Sequence, residues 1–168
     1  MRASPRFLAC LLACSGILIT GALSEVAAQS EARLAEEHLL GTWRLDVSKS
    51  TYSPGPPPKS ETRLYARDEA GVRGRIDRQY ADGRREVIDY RADADHDSPV
   101  SGTQAYDAVR FRRIDARTTE AVLSHAGRVW GTARRVVSDS GDMLTITFRR
   151  IEPGDMVNNV AVYHKERK

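Results

Sequence analysis

The stretch LLGTWRLDV, residues 39–47, decides the fold. It is the first run after an apolar leader with the composition of a β-strand, and it carries a Gly-x-Trp motif at Gly41, Thr42 and Trp43. We interpret it as the opening strand of a β-barrel that the remaining chain closes. On this interpretation Trp43 fills the closed end of the barrel.

From residue 60 onward, short runs rich in β-branched and aromatic residues are separated by turn sequences. Turns such as Asp82-Gly83 and Ser140-Gly141 supply the positive φ that tight hairpins need. No later stretch shows a sustained helical period. The predicted strands after the first are Glu61–Arg67, Val72–Tyr80, Arg85–Ala92, Tyr106–Ile114, Thr118–His125, Arg128–Ser138, Met143–Arg150 and Val157–Lys165. The sequence does not decide whether residues Pro99–Ser101 form a further short strand.

This spacing suits a sandwich or a barrel, and the consecutive short hairpins favour the barrel because closure removes exposed edges. The sequence therefore predicts an all-β fold, a single antiparallel up-and-down β-barrel of about 8–10 strands over residues 39–166. Residues 29–38 are helix formers and predict a short helix, with a disordered spacer as the alternative. The proline-rich segment at residues 53–58 predicts an extended crossing over one mouth of the barrel.

Residues 1–28 are typical of a signal peptide. Arg2 and Arg6 precede an apolar region from Phe7 to Ile19, and small residues at Val26-Ala27-Ala28 predict cleavage before Gln29. The protein is thus expected to be periplasmic or secreted. A lipoprotein with Cys14 as the lipidated residue is the alternative. No later run is apolar for long enough to span a membrane.

Charge and cysteine content exclude several classes of function. The whole chain carries a net charge of +3, and positive and negative residues are interleaved rather than clustered, so no nucleic-acid partner is expected. Both cysteines, Cys10 and Cys14, lie in the leader. The mature chain therefore has no disulfide, no thiolate metal site and no cysteine nucleophile. We expect a monomer.

Three features together resemble the lipocalin and fatty-acid-binding-protein superfamily, the calycins: the motif at Gly41-Thr42-Trp43, the long crossing and the hairpin meander. The final run NVAVYHK, residues 159–165, looks like the closing strand of fatty-acid-binding barrels. The stretches SPGP (53–56), RRVVS (134–138) and VNNVAVY (157–163) resemble small exported bacterial lipocalin-like proteins. The resemblance implies a ligand cavity and an arginine from a late strand stacked on Trp43.

The chain departs from the fatty-acid-binding pattern at one ligand-binding position. Fatty-acid-binding barrels hold the ligand carboxylate with an arginine two residues before the closing-strand tyrosine, and Ala161 stands there before Tyr163. Adjacent arginines such as Arg134-Arg135 offer another anchor, because alternation along a strand sends one outward and could send the other inward. The alternative is that these arginines sit at strand ends or pair with Asp and Glu on neighbouring strands. The predicted ligand-binding residues are Trp43, Tyr90, Phe111, Arg135, Phe148 and Tyr163.

Metal or cofactor chemistry is not expected. The run DADHD, residues 93–97, alternates carboxylates as a calcium loop does, but it lacks the glycine and the final glutamate of an EF-hand, and we interpret it as a solvated turn. No nucleophile elbow, His-Glu-x-x-His motif or phosphate loop occurs.

Three hypotheses follow. The first is a non-enzymatic barrel that binds a small hydrophobic or amphipathic ligand. The second is a filled barrel that acts through its surface in the cell envelope, and the third is an enzyme on the same scaffold. A connected internal cavity separates the first from the second.

Overall fold

The structure is a computed structural model that describes residues 37–68, 71–91, 96–151 and 158–167. The predicted signal peptide and most of the predicted lead helix lie outside these ranges. A single helical turn at residues 37–39 precedes the first strand. Ten strands follow: β1 (Gly41–Thr51), β2 (Ser60–Asp68), β3 (Gly71–Gln79), β4 (Arg85–Arg91), β5 (Ser98–Ser101), β6 (Ala108–Arg113), β7 (Thr118–His125), β8 (Arg128–Val137), β9 (Met143–Arg150) and β10 (Asn158–Lys165).

The strands form one closed antiparallel barrel in which every strand pairs with its neighbours in sequence. Closure comes from pairing of β1 with β10, where Leu45 lies opposite Tyr163. The predicted fold class is confirmed, and the short strand at residues 99–101 is present as part of β5. Some boundaries were wrong: β1 continues to Thr51 rather than ending at Val47, and β6 begins at Ala108, so Tyr106 lies in the preceding loop.

Alternation along the strands fixes which side chains face inward. Leu144 and Ile146 of β9 are buried, as are Ala161 and Tyr163 of β10, whereas Val160 lies outside. The interior is therefore lined by one parity of each strand, and the apolar residues of the other parity lie on the outer surface.

Trp43 is completely buried near the helical turn. Its indole Nε1 donates a 2.7 Å hydrogen bond to the carbonyl oxygen of Leu39, which ties the turn to β1. The ammonium of Lys165 lies 5.0 Å from the centre of the indole ring. The cation on Trp43 is thus a lysine of the last strand and not the expected arginine.

The proline-rich segment lies at the opposite end of β1. The backbone N–H of Asn158 donates to the carbonyl oxygen of Ser53 at 2.9 Å, and the backbone N–H of Ser53 donates to the Asn159 side-chain oxygen at 3.1 Å. The segment is therefore fastened to the start of β10. Its prolines Pro54, Pro56 and Pro58 contribute to the wall of an internal cavity.

Candidate ligand cavity

A cavity of about 320 Å³ lies inside the barrel. This volume is at the lower end of the roughly 300–1,000 Å³ typical of small-molecule sites. Most of its described lining residues are aromatic or aliphatic, and the polar ones are mainly arginine and tyrosine. The cavity thus offers an apolar wall with a few charged groups.

Two groups of aromatic rings form much of this wall. Trp130 lies between Tyr106 and Phe148, with ring centres 5.5 and 5.3 Å away. Tyr90 and Phe111 form the second group, with centres 5.6 Å apart. These separations are those of favourable aromatic pairs, so the wall presents ring faces at fixed positions.

A β-bulge brings Trp130 into the cavity. The register between β7 and β8 shifts so that Leu123 lies opposite Gly131 while Ser124 lies opposite Val129, which leaves Trp130 as the extra residue. Strict alternation would place Trp130 and its neighbour Gly131 on opposite faces. Because a bulge re-aims one side chain, Trp130 reaches the interior next to an already inward position.

Gly74 makes room for Tyr90 on the neighbouring strand. The two residues lie opposite each other across β3 and β4, and a Cβ atom at position 74 would come within 2.4 Å of the Tyr90 ring. Any larger residue would have to displace the ring. Gly74 therefore lets the Tyr90 ring lie flat against the barrel wall.

A buried glutamate joins three polar side chains beneath the cavity surface. Glu61 is 1% exposed and accepts hydrogen bonds from Arg63 Nε at 2.6 Å, Arg78 Nε at 2.5 Å and the Tyr163 hydroxyl at 2.7 Å. Burial alone would raise the pKa of the Glu61 carboxyl, but the charges of Arg63 and Arg78 outweigh it and lower this pKa to about 2. Glu61 is therefore a carboxylate at any physiological pH.

Arg78 also reaches a second carboxylate. Its Nη1 lies 3.4 Å from Glu86 Oε2, and the Tyr80 hydroxyl donates to the same oxygen at 2.8 Å. Two arginines and two glutamates thus form one group, and their formal charges cancel. We refer to Glu61, Arg63, Arg78 and Glu86 as the neutral cluster.

Arg135 differs from the arginines of the neutral cluster. It is 3% exposed, and among the residues that the structure describes it forms no ion pair. Its Nε has no hydrogen-bond partner. The guanidinium carbon lies 4.1 Å from the centre of the Phe111 ring, within the range of a cation–π contact. A buried guanidinium without a carboxylate is costly unless a ligand supplies the missing anion.

Tyr65 lies behind Arg135. Its ring centre is 5.7 Å from the guanidinium carbon, and its hydroxyl is buried. Burial would raise the pKa of this hydroxyl, but the nearby charges of Arg63 and Arg135 outweigh burial and bring the pKa to about 8. Burial raises the pKa of the adjacent Tyr90 well above its usual range. The field around Tyr65 is therefore strongly positive.

Four of the six predicted ligand-binding residues line the cavity: Tyr90, Phe111, Arg135 and Phe148. Trp43 lies in the floor of the barrel, and Tyr163 is bound to Glu61. The sequence interpretation missed Arg63, although Glu61, Arg63 and Tyr65 alternate on β2 and share its inner face. Strict alternation along β8 would also put Trp130 on the face opposite Arg135, and the bulge that turns it inward leaves no clear sequence signal.

The arginine pair at residues 134 and 135 divides between the two faces. Arg134 lies outside, 52% exposed, and reaches Glu120 at 3.3 Å, while Arg135 points inward. By contrast, Arg84 and Arg85 are both exposed and pair with surface aspartates. Alternation therefore points one arginine inward when both residues of a pair lie within a strand, as Arg134 and Arg135 do in β8. Arg84 lies before the start of β4 at Arg85.

Within the described ranges, no cluster of three or more His, Cys, Asp or Glu side chains could hold a metal ion. Residues 93–95 of the acidic run lie outside those ranges, while Asp97 pairs with Arg110 at 2.9 Å. No helix in the described part of the chain is long and apolar enough to cross a bilayer.

Comparison with known proteins assigns the chain to no family. The sequence matches no protein-family model, and a search of curated proteins found no match.

Replacing Arg135 with methionine should stabilise the ligand-free protein by roughly 1–3 kcal/mol. The substitution removes a buried charge whose desolvation the cation–π contact offsets only in part. Urea unfolding of the two proteins measures the difference. The matched control is Arg134→Met on the outer face, where loss of an exposed ion pair should change the free energy of unfolding by less than about 1 kcal/mol. A lower stability for Arg135→Met than for Arg134→Met would show that Arg135 is a structural residue.

Ultraviolet absorbance at 295 nm should show one tyrosine ionising near pH 8 in the folded protein, ahead of the other five. Tyr65→Phe should remove this step, and Tyr80→Phe at the mouth should leave it. Because the pKa of Tyr65 is about 8 in the fold against 10.0 in the unfolded chain, its ionised form stabilises the fold above pH 10. That contribution is lost as the pH falls through about 8. Absence of the step would contradict the positive field that we assign to Arg63 and Arg135.

Proposed function

We propose that this protein is an exported, calycin-like barrel that binds a small hydrophobic or amphipathic ligand without transforming it. The observation that carries the proposal is the cavity of about 320 Å³, whose aromatic wall surrounds the buried and unpaired guanidinium of Arg135. Burial of apolar ligand surface would supply affinity, and one or two inward polar groups would fix its orientation.

The cavity also favours this proposal over a filled barrel that acts only through its surface. A barrel of this size has enough interior either for its own side chains or for one small ligand. Here small residues such as Ala121, Ala133 and Ala161 line the cavity. They leave space that larger side chains would fill.

Binding is favoured over catalysis by the chemistry of the wall. The described lining residues are aromatic, aliphatic, proline, arginine and asparagine side chains, and none is a usual nucleophile or general base apart from tyrosine. Tyr65, whose pKa is lowered, lies behind Arg135 and outside the lining. The resemblance of the fold to calycins supports a ligand cavity but does not identify the ligand.

Native mass spectrometry of the protein purified from its own host tests the proposal without a choice of ligand. A co-purifying small molecule of defined mass would support it and would give the ligand class. A bare protein mass under gentle conditions, together with failure of the titration described next, would contradict it.

Filling the cavity should abolish binding of an apolar probe. Titration with decan-1-ol should change the fluorescence of Trp130, which lines the cavity, while Trp43 in the floor should respond little. Ala133→Phe places a ring in the cavity and should weaken binding about tenfold or more, equivalent to roughly 1.4 kcal/mol. Val136→Phe on the outer face of the same strand is the control and should bind normally. Equal binding by both variants would place the alcohol outside the cavity.

A further inference from the structure

Among the described residues inside the barrel, one buried positive group lacks a carboxylate partner. In the neutral cluster, Arg63 and Arg78 face Glu61 at 2.6 and 2.5 Å, and Arg78 also faces Glu86. Arg150 lies at the exposed mouth above Trp130, where water screens it. Of the buried cations in the described lining, Arg135 alone has no carboxylate beside it.

The neutral cluster and Arg135 are near neighbours. Arg63 and Arg135 line the same cavity, and the charges of both act on the hydroxyl groups of Tyr65 and Tyr90. A head group at Arg135 would therefore lie within the electrostatic reach of Arg63. Whether Arg63 could attract a second negative charge depends on Glu61, because Glu61 already accepts its Nε hydrogen bond.

We propose that the cavity selects organic monoanions: Arg135 binds a singly charged head group, and Glu61 prevents binding of a second charge by neutralising Arg63 and Arg78. This inference rests on the proposed function and names the class of ligand and the residue that sets its charge. The ligand is a carboxylate, a sulfate monoester or a sulfonate with an apolar body. Its body lies against the aromatic wall, and its head group accepts hydrogen bonds from the guanidinium of Arg135, which lines the cavity.

Charge arithmetic explains the selectivity. A monoanion at Arg135 completes a buried ion pair and leaves no excess charge. A phosphate monoester carries about −1.5 to −2 at neutral pH, so it would bury an uncompensated negative charge that Glu61 repels. A neutral ligand of the same length would leave Arg135 without an anionic partner.

Three probes with the same ten-carbon chain separate these cases: decan-1-ol, decyl sulfate and decyl phosphate. At pH 7.5 wild-type protein should bind decyl sulfate about tenfold or more tightly than either of the others, measured by Trp130 fluorescence or calorimetry. Arg135→Met should reduce decyl sulfate to the affinity of decan-1-ol, while Arg134→Met should retain the preference. Bound decyl sulfate should also move the ionisation of Tyr65 to higher pH, since its charge offsets that of Arg135.

Removing one carboxylate charge from the neutral cluster should weaken the preference for monoanions over dianions. Glu61→Gln keeps the size of the side chain but exposes Arg63 and Arg78 to a ligand, so decyl phosphate should gain about tenfold relative to decyl sulfate. Glu86→Gln adds the same charge at a less buried position and should shift the ratio in the same direction. Glu86→Gln therefore tests the role of the neutral cluster even if Glu61→Gln does not fold.

The outcomes are distinct. If none of the three probes binds the wild-type protein, the proposed function itself fails. If decan-1-ol binds but decyl sulfate has no advantage, or if the advantage survives Arg135→Met, the cavity binds ligands without the assigned anion site. If decyl sulfate is preferred but neither glutamate substitution changes the phosphate-to-sulfate ratio, the role of Glu61 is refuted.

Discussion

Pairing of β1 with β10 closes the sheet, and closure forces one side chain in two along every strand into a shared interior. In an open sheet, Glu61, Arg63 and Arg135 could turn toward water. In the closed barrel they are committed to the inside, where each charge must find a partner or remain uncompensated. The polar chemistry of the cavity follows from this geometric constraint.

The buried arginines are accommodated in two ways. Arg63 and Arg78 share the carboxylate of Glu61, and the Tyr163 hydroxyl donates to the same group, so the charges are held by short charge-assisted hydrogen bonds. Within the described ranges, Arg135 has cation–π contacts with the rings of Phe111 and Tyr65 and no carboxylate beside it. A protein selected for stability alone would place an apolar residue there. The isolated guanidinium is therefore the strongest sign of a ligand in the described structure.

Much of the fold could be predicted from the sequence because turn chemistry and strand composition are local. The strands Thr118–His125 and Met143–Arg150 have the predicted bounds, and the antiparallel meander follows from short hairpins. The leader, the predicted cleavage before Gln29 and the lipidation alternative at Cys14 lie outside the described residues and remain predictions.

The site was less predictable because it depends on contacts between distant strands. Alternation alone suggested that one arginine of the 134–135 pair faces inward, but its lack of a partner depends on where every carboxylate lies. Trp130 enters the cavity through a bulge that one register shift creates. Glu61 and Arg63 were detectable in principle, since a spacing of two on one strand puts them on one face. Their pairing with Tyr163, about a hundred residues away in sequence, was not.

A crystal structure of the protein with decyl sulfate bound would show directly whether Arg135 holds the head group. We expect the sulfate group beside Arg135, with an oxygen about 2.7–2.9 Å from a guanidinium nitrogen, and the alkyl chain along Phe111, Trp130 and Phe148. A sulfate group at the mouth beside Arg150, or a chain bound on the outer surface, would contradict this expectation.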